Sequence, residues 1–220
     1  MKKKILSALI FSILVLISLI YISNYDYLLN AVSKIYFTGH TTAYIDDFKQ
    51  FDNKILSPSK NPQVWPNHEK YNSITLPKEL EAHHKKTQTT AFVIIKNDSI
   101  YFEKYYDGYG PESKSNSFSV AKSYVSALLG KAIMQGYIKG LDQRVKDFIP
   151  DLKGLYANEV TVGDLASMAS GQRWDEAYYS PFSVTTAAYF VKDLDKLILN
   201  QPVDEKPGKK YIYKSGTTQL

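Results

Sequence analysis

Residues 116–133 read NSFSVAKSYVSALLGKAI and combine a candidate reactive pair with a helical pattern. The apolar side chains of this stretch recur at three- and four-residue intervals, which is the period of a helix with one buried face. Ser119 and Lys122 then lie about one turn apart on the same side of that helix. The stretch therefore predicts a buried amphipathic helix that carries a hydroxyl and an amine side by side near its start.

A serine and a lysine in this arrangement can cooperate in nucleophilic catalysis. A serine hydroxyl is a weak nucleophile until a base takes its proton, and a lysine can be that base where desolvation or a nearby cation favours its amine form. The N–H groups at a helix start can also stabilise the oxyanion of a tetrahedral intermediate. The pattern alone leaves an alternative open, in which Ser119 caps the helix and Lys122 is a solvated side chain.

The Ser-x-x-Lys pattern occurs a second time, at Ser57 and Lys60. Pro58 lies between these two residues, in a run rich in proline and asparagine, which argues against a buried amphipathic helix. We therefore interpret this second copy as a chance match.

The composition of the 220-residue chain favours a packed globular protein, with 44% hydrophobic and 22% charged residues. The net charge of +5 comes partly from three lysines near the start, and the other basic residues are dispersed among acidic ones, so nucleic-acid binding has little support. The absence of cysteine excludes disulfides, thiolate catalysis and cysteine-ligated metal. His83 and His84 lack a third ligand at metal-site spacing, so they are expected at the surface and no metal is expected.

The N-terminus predicts an export signal or a membrane anchor. Lysines at residues 2–4 precede 18 uncharged residues, 5–22, rich in isoleucine and leucine. No small-x-small cleavage site precedes Asn24, which favours an uncleaved anchor. Because lysines stay on the cytoplasmic side, the rest of the chain is expected at the cell membrane on the extracytoplasmic face, or secreted if the segment is cleaved.

The remaining chain is expected to form a tether with an extended wrap over residues 23–86, followed by a hydrolase domain from residue 87 to 220. Within that domain, two β-rich runs at 90–95 and 100–106 predict a hairpin. Thr161 and Asp164 form a capping-box pattern, which predicts a helix from there to about Ser170.

Two further helices are predicted in the second half of the chain. A proline ends a short helix over residues 141–150, and residues 183–199 read as a longer amphipathic helix. Residues 209–213, which follow a Pro-Gly turn, are expected to be short and extended.

With these segments in view, the chain resembles the serine β-lactamase and penicillin-binding-protein superfamily. The resemblance is to its class C-like branch, which holds 6-aminohexanoate-dimer hydrolases and family VIII carboxylesterases, and it covers about residues 90–220. Its segments follow the family's order, and they are residues 117–123, 141–150, 160–171, 174–176 and 207–216. Several linked segments are more specific than the Ser-x-x-Lys pattern alone.

The resemblance implies an α/β (α+β) fold of β-lactamase type, with an antiparallel sheet flanked by helices and an all-helical subdomain. It also implies a serine hydrolase that needs no cofactor and acts through an acyl-enzyme on a small or cell-wall-derived amide or ester. Ser119 would be the nucleophile and Lys122 the general base. A Tyr-x-Asn or Tyr-x-Ser motif would supply a tyrosine that relays protons to the leaving group.

The tyrosine motif matches this sequence at six positions, which are Tyr21, Tyr71, Tyr124, Tyr156, Tyr178 and Tyr213. We choose Tyr213, because it follows the Pro-Gly turn at the distance from Ser119 that the family shows. By the same resemblance, Ser215 would bond Lys122 or the substrate, although it could instead cap a helix that begins at Gly216. Trp174 could line the substrate cleft, although a buried structural role is the alternative.

The sequence departs from the family at its C-terminus. Members carry a third motif of Lys-Thr-Gly or His-x-Gly type on a later strand, and residues 214–220 end without it. We therefore expect the C-terminal part of the sheet to be missing and the chain to be the truncated front of a longer protein. Two alternatives stay open: a penicillin-recognising sensor or cell-wall-binding module without turnover, and an inactive remnant.

Overall fold

The computed structural model describes residues 2–220, with side chains from residue 3 onward, and the chain forms two compact units. One unit joins the residues up to Phe51 to Asn116–Leu220, and the other is Asp52–Ser115. The helices are α1 (Lys2–Ile22), α2 (Tyr27–Lys34), α3 (Lys78–Thr87), α4 (Ala121–Met134), α5 (Val162–Ala166), α6 (Val184–Phe190), α7 (Leu194–Leu199) and α8 (Ser215–Gln219), and the strands are β1 (Ala91–Lys96) and β2 (Ser99–Tyr105). Four 3-10 turns are Tyr36–Thr38, Asp47–Gln50, Phe118–Val120 and Val145–Asp147.

The unit of residues 52–115 is built on the predicted hairpin. Strands β1 and β2 pair antiparallel, with a register shift between Ile94 and Ile95. Asn97 and Asp98 connect them, with φ values of 51° and 54°. Two consecutive residues in the left-handed region form the tight turn whose twist matches that of the flanking strands. The hairpin prediction is confirmed.

Helix α3 packs in the same unit through a histidine. The ring of His84 is buried, with 6% of the residue exposed, and lies 4.7 Å from the Phe92 ring. Its Nδ1 is 3.1 Å from the Thr89 hydroxyl. The prediction that His84 lies at the surface is wrong, because the imidazole has an aromatic neighbour and a polar partner that replace water.

The other unit contains two apolar clusters. Tyr27, Ala31 and Ile35 follow one another at four-residue intervals along α2 and pack with Ala187 and Phe190 of α6. The second cluster joins the residues around α5 to the segment before α8, and its members are Val145, Leu152, Ala157, Val160 and Val203.

The extended course expected for residues 23–86 is wrong for Tyr27–Lys34 and Lys78–Thr87, which are helical. The physical reason for α2 is the four-residue spacing of its apolar side chains, which gives the helix a face to bury against Phe190. Because the compact units divide the chain at other positions, the domain ranges 1–22, 23–86 and 87–220 remain a prediction.

The capping box at the start of α5 is present as predicted. The Asp164 N–H donates to the Thr161 hydroxyl over 3.1 Å, and the Thr161 N–H donates to the Asp164 carboxylate over 2.9 Å. The helix is shorter than expected and ends at Ala166, because Met168 takes a left-handed conformation with φ of 58°. Gly171 also has a positive φ, of 69°, and a Cβ there would lie 2.0 Å from the Glu205 carbonyl oxygen.

Two other helix predictions need correction. The helix expected over 183–199 is two helices, because Val191 is extended and Asp193 caps α7 by accepting from the Lys196 N–H. The helix expected over 141–150 is reduced to the 3-10 turn Val145–Asp147, and residues 209–213 form no regular secondary structure.

Helix α4, which follows Ser119, forms as predicted but is not buried. None of its residues is buried, and 67% of Leu128 and 70% of Tyr124 are exposed. Apolar residues lie around most of the circumference of α4. The described elements that pack beside the helix cover only part of this apolar surface. On the partly covered side, Val125 and Leu129 line an apolar cavity of about 410 Å³ together with residues of α5 and α8.

Candidate active site

Ser119 lies in the 3-10 turn Phe118–Val120, directly before α4. The preceding residue, Phe118, has a φ of 45°, which is unusual for a bulky side chain and costs about 1–3 kcal/mol. Strain of this kind persists only where the surrounding structure holds it, and it is concentrated at functional sites. The turn leaves Ser119 exposed, within reach of a solute.

Lys122 lies one turn further along and faces Ser119. Its Nζ is 3.2 Å from the Ser119 Oγ and 3.1 Å from the Ser215 Oγ. The same nitrogen lies 5.0 Å from the centre of the Tyr213 ring. The side chain is half-buried and also borders the apolar cavity beside α4, so it is not a freely solvated lysine.

Tyr213 completes the contact around the serine. Its Oη donates to the Ser119 Oγ over 2.6 Å, although 94 residues separate the two in sequence. Two backbone bonds attach the tyrosine's segment to the residues after α5. The Gly208 N–H donates to the Ala169 carbonyl, and the Ile212 N–H donates to the Met168 carbonyl, each over 2.9 Å.

The other matches to the tyrosine motif lie elsewhere. Tyr124 is 70% exposed on α4, Tyr156 packs beside the second apolar cluster, and Tyr178 donates to Glu176. Within residues 3–220, Tyr213 is the tyrosine whose hydroxyl contacts Ser119. The structure thus brings together Ser119, Lys122, Tyr213 and Ser215, and their chemical roles remain proposals.

Ser215 is the first residue of α8, and its side chain faces the site. The N-cap of that helix is Lys214, so Ser215 does not cap the helix as the alternative interpretation expected. The Ser215 hydroxyl contacts Lys122 on one side and Glu176 on the other, over 3.1 Å and 2.6 Å. The predicted contact between Ser215 and Lys122 is present.

Glu176 is a site residue to which the sequence analysis gave no role. Its carboxylate accepts from the Ser215 N–H and from the Ser215 hydroxyl, each over 2.6 Å, and also from the Tyr178 hydroxyl. Burial acts to raise the pKa of Glu176, but the hydrogen bonds from Ser215 and Tyr178 outweigh it and the pKa is lowered. Burial and the contact with Glu176 raise the pKa of Tyr178 to about 12.

Trp174 lies behind α8 rather than free in solvent. A Cβ added to Gly216 would lie 2.2 Å from Cε3 of the indole, so the ring packs directly on the glycine backbone. This packing supports the structural alternative for Trp174, and its predicted contact with substrate remains a proposal.

Within the described part of the chain, no group of three or more His, Cys, Asp or Glu side chains could hold a metal ion. A cavity of about 680 Å³ lies near α7 and is lined by charged residues such as Asp151 and Lys196, but by none of the predicted site residues. The candidate active site is therefore the cluster in which the Ser119 and Ser215 hydroxyls contact Lys122 and the Tyr213 hydroxyl contacts Ser119.

Comparison with known proteins gives a family match. The Beta-lactamase family model matches residues 78–220, which is well over half of the chain. The chain belongs to the beta-lactamase family. The fold class and the superfamily that the sequence predicts are confirmed by this match and by the solved structure described next.

Two relatives carry the same name. A 6-aminohexanoate-dimer hydrolase of Paenarthrobacter ureafaciens is 28% identical over 105 residues, which are 48% of this chain and 26% of the relative. The solved structure of a Bacillus anthracis protein assigned to the 6-aminohexanoate-dimer hydrolases matches with a TM-score of 0.60 at 20% identity. That match covers 78% of this chain and 50% of the other, and it shows a shared fold. The chain spans about a quarter of the length of the curated relative and half of the solved one.

Proposed function

We propose that the protein is a serine hydrolase that cleaves an amide or an ester through an acyl-enzyme. The observation that carries this proposal is the contact of Ser119 with both an amine and a phenol, at 3.2 Å and 2.6 Å. A capping serine needs neither partner. Membership in the beta-lactamase family and two relatives named as hydrolases add support.

In the proposed acylation step, the Ser119 Oγ attacks the carbonyl carbon of the substrate, and its proton passes to the amine of Lys122. The oxyanion accepts a hydrogen bond from the backbone N–H of Ser119. When the tetrahedral intermediate collapses, the bond from carbon to the leaving nitrogen or oxygen breaks. Tyr213 donates a proton to that leaving atom and recovers one from Lys122.

Water then attacks the acyl-serine, with Tyr213 and Lys122 taking its proton. The acyl group leaves as a carboxylic acid, and Ser119 recovers its hydrogen, so the site returns to its starting state. The Ser119 Oγ lies within hydrogen-bond distance of both groups that would move its proton, at 3.2 Å from the Lys122 Nζ and 2.6 Å from the Tyr213 Oη.

We also propose that the reaction takes place at the outer face of a membrane. Residues Lys3–Ile22 form a helix of 20 residues with a mean hydropathy of 2.8, and none of that segment is buried within the protein. Its length, at 1.5 Å per residue, is about 30 Å, which matches the hydrocarbon thickness of a bilayer. The lysines that begin the helix favour the cytoplasmic side, which directs the candidate site outward.

A covalent probe tests the hydrolase proposal. A fluorophosphonate should label Ser119, as located by mass spectrometry of the digested protein, and Ser119→Ala should abolish the label. Ser123→Ala is the matched control, because it removes the next serine along the chain, which lies on α4, and should leave labelling intact. Labelling that survives Ser119→Ala would refute the assignment, whereas a penicillin adduct that never releases product would favour the binding-module alternative.

A further inference from the structure

Glu176 links the loop before α6 to the group that faces Lys122. It reaches Ser215 through both carboxylate oxygens, since Oε2 accepts from the backbone N–H and Oε1 accepts from the hydroxyl, each over 2.6 Å. Hydrogen bonds to an ionised group are short and about twice as strong as neutral ones. Ser215 is therefore held at two atoms, and its side chain has little freedom to rotate.

The direction of these bonds decides what Ser215 can offer to Lys122. An ionised carboxylate only accepts hydrogen bonds, so the single proton of the Ser215 hydroxyl must point at Glu176. The lone pairs of that oxygen remain for the Lys122 Nζ, 3.1 Å away, which must donate. An amine that donates one N–H to Ser215 is left with its lone pair free to accept the proton of Ser119.

The Tyr178 hydroxyl helps to keep Glu176 as a hydrogen-bond acceptor for Ser215. This hydroxyl donates to Oε1 of Glu176, the oxygen that also accepts from the Ser215 hydroxyl. The carboxylate thus accepts three hydrogen bonds, and three are enough to hold a half-buried carboxylate in its charged, acceptor-only form. Among the described residues, no hydrogen bond joins Glu176 to Ser119 or Tyr213, so its hydrogen-bonded route to the nucleophile runs through Ser215 and Lys122.

We propose that Glu176 is a positioning residue, which fixes Ser215 as a hydrogen-bond acceptor and so aims the amine of Lys122 at Ser119. The inference rests on the hydrolase function proposed above. It assigns Glu176 a role in the rate of acylation and not in substrate binding.

A double-mutant cycle tests the proposal. Glu176→Gln keeps the shape of the side chain but lets its amide donate, so Ser215 can turn its proton toward Lys122. The rate constant of Ser119 labelling by a fluorophosphonate at saturation should fall about 10- to 100-fold, as expected for a lost charge-assisted bond, with the probe's half-saturation concentration unchanged. In a Ser215→Ala background, Glu176→Gln should have no further effect.

Asp175→Asn is the matched control. This neighbouring acid accepts from the Ala177 N–H over 3.0 Å and touches none of the site residues, so its labelling rate should equal that of the parent. Equal losses for Glu176→Gln in the parent and in the Ser215→Ala background would overturn the proposal, because the glutamate would then act by its charge or by general stability. A raised half-saturation concentration with an unchanged maximal rate would overturn it as well.

A crystal structure of Glu176→Gln separates this proposal from the hydrolase function. The separation of Lys122 Nζ and Ser119 Oγ, 3.2 Å in the parent, should lengthen beyond hydrogen-bond distance, because the amine then accepts from Ser215 and its lone pair turns away from Ser119. This change is expected whether or not the protein reacts with the probe. An unchanged contact in the variant would refute the positioning role. A parent protein that takes no label at Ser119 would instead refute the hydrolase proposal, and the crystal structure would still decide the role of Glu176.

Discussion

Replacing Gly216 by alanine should destabilise the protein by forcing apart α8 and Trp174. The new Cβ would lie 2.2, 2.5 and 2.7 Å from three carbon atoms of the indole, and non-bonded carbon atoms need about 3.5 Å. The helix or the ring must therefore move by about 1 Å. Overpacking of a buried position costs about 1–3 kcal/mol, and for a chain of this size each kcal/mol lowers the Tm by about 2–4 °C.

Gly130→Ala is the matched control for this substitution. Gly130 also lies in a helix, but a Cβ there meets nothing within 4 Å. Because alanine is the better helix former, this variant should be more stable by about 0.5–1 kcal/mol. Thermal and urea unfolding followed by circular dichroism would measure both variants, and the two changes should have opposite signs.

The packing argument also predicts a rescue. Trp174→Leu on its own removes ring contacts and should destabilise the protein, but Gly216→Ala should cost much less in that background than in the parent. If Gly216→Ala unfolds at the same temperature as the parent, or if its cost is unchanged after Trp174→Leu, the close packing of ring and helix would be refuted.

Four further predictions follow from the site and its supports. Tyr213→Phe should slow acylation of Ser119 by about 10²- to 10⁴-fold with little loss of Tm, measured by single-turnover labelling, because it removes a proton relay. Asp47→Ala should lower the free energy of unfolding in urea by about 1–3 kcal/mol, since it leaves buried donors without an acceptor. The pKa of Glu176 is lowered from 4.5 in the folded protein. The carboxylate therefore stabilises the folded state at pH values above the pKa that Glu176 has in the unfolded chain, and this stabilisation is lost as the pH falls through the folded-state pKa. Acid should therefore destabilise the parent protein more than the Glu176→Gln variant. Leu14→Lys should reduce the fraction of chain that resists carbonate extraction from membranes, since a lysine at mid-helix costs about 2.5–3.5 kcal/mol on insertion.

Asp47 is singled out because its carboxylate is fully buried and ties the N-terminal part of the unit to the site. It accepts from the Tyr44 N–H over 3.1 Å, from the Tyr189 hydroxyl over 3.1 Å and from the Asn116 side chain. The Asn116 N–H also donates to the Ile45 carbonyl over 2.7 Å. The carboxylate therefore fixes the position of Asn116, which lies three residues before Ser119.

The sequence predicted the residues that local spacing or motif order can identify. Ser119 and Lys122 are one helical turn apart, so a pattern detects them. Tyr213 lies 94 residues away, and only its place in the family's series of motifs pointed to it. The hairpin also followed from local chemistry, because two β-rich runs flank a polar turn, and the asparagine and aspartate of that turn tolerate the left-handed region.

Other features depend on contacts that a sequence pattern does not record. Glu176 acts through Ser215, 39 residues further along, and the one available signal was its place beside Trp174 in the family's order. The strained φ of Phe118 leaves no trace in composition. The exposure of α4 was missed because hydrophobic periodicity shows that a helix can be buried, but not which elements cover it.

The anchorage of Asn116 has a practical consequence for producing the protein. A chain trimmed to residues 78–220, the span recognised by the family model, would discard Asp47 and Ile45. Asn116 and Tyr189 would then face solvent or each other. The segment that leads into Ser119 would lose its hydrogen bonds to Ile45 and Asp47. Expression trials should therefore begin no later than Tyr27, which also keeps the α2 side chains that pack against Phe190, even where homology suggests a shorter start.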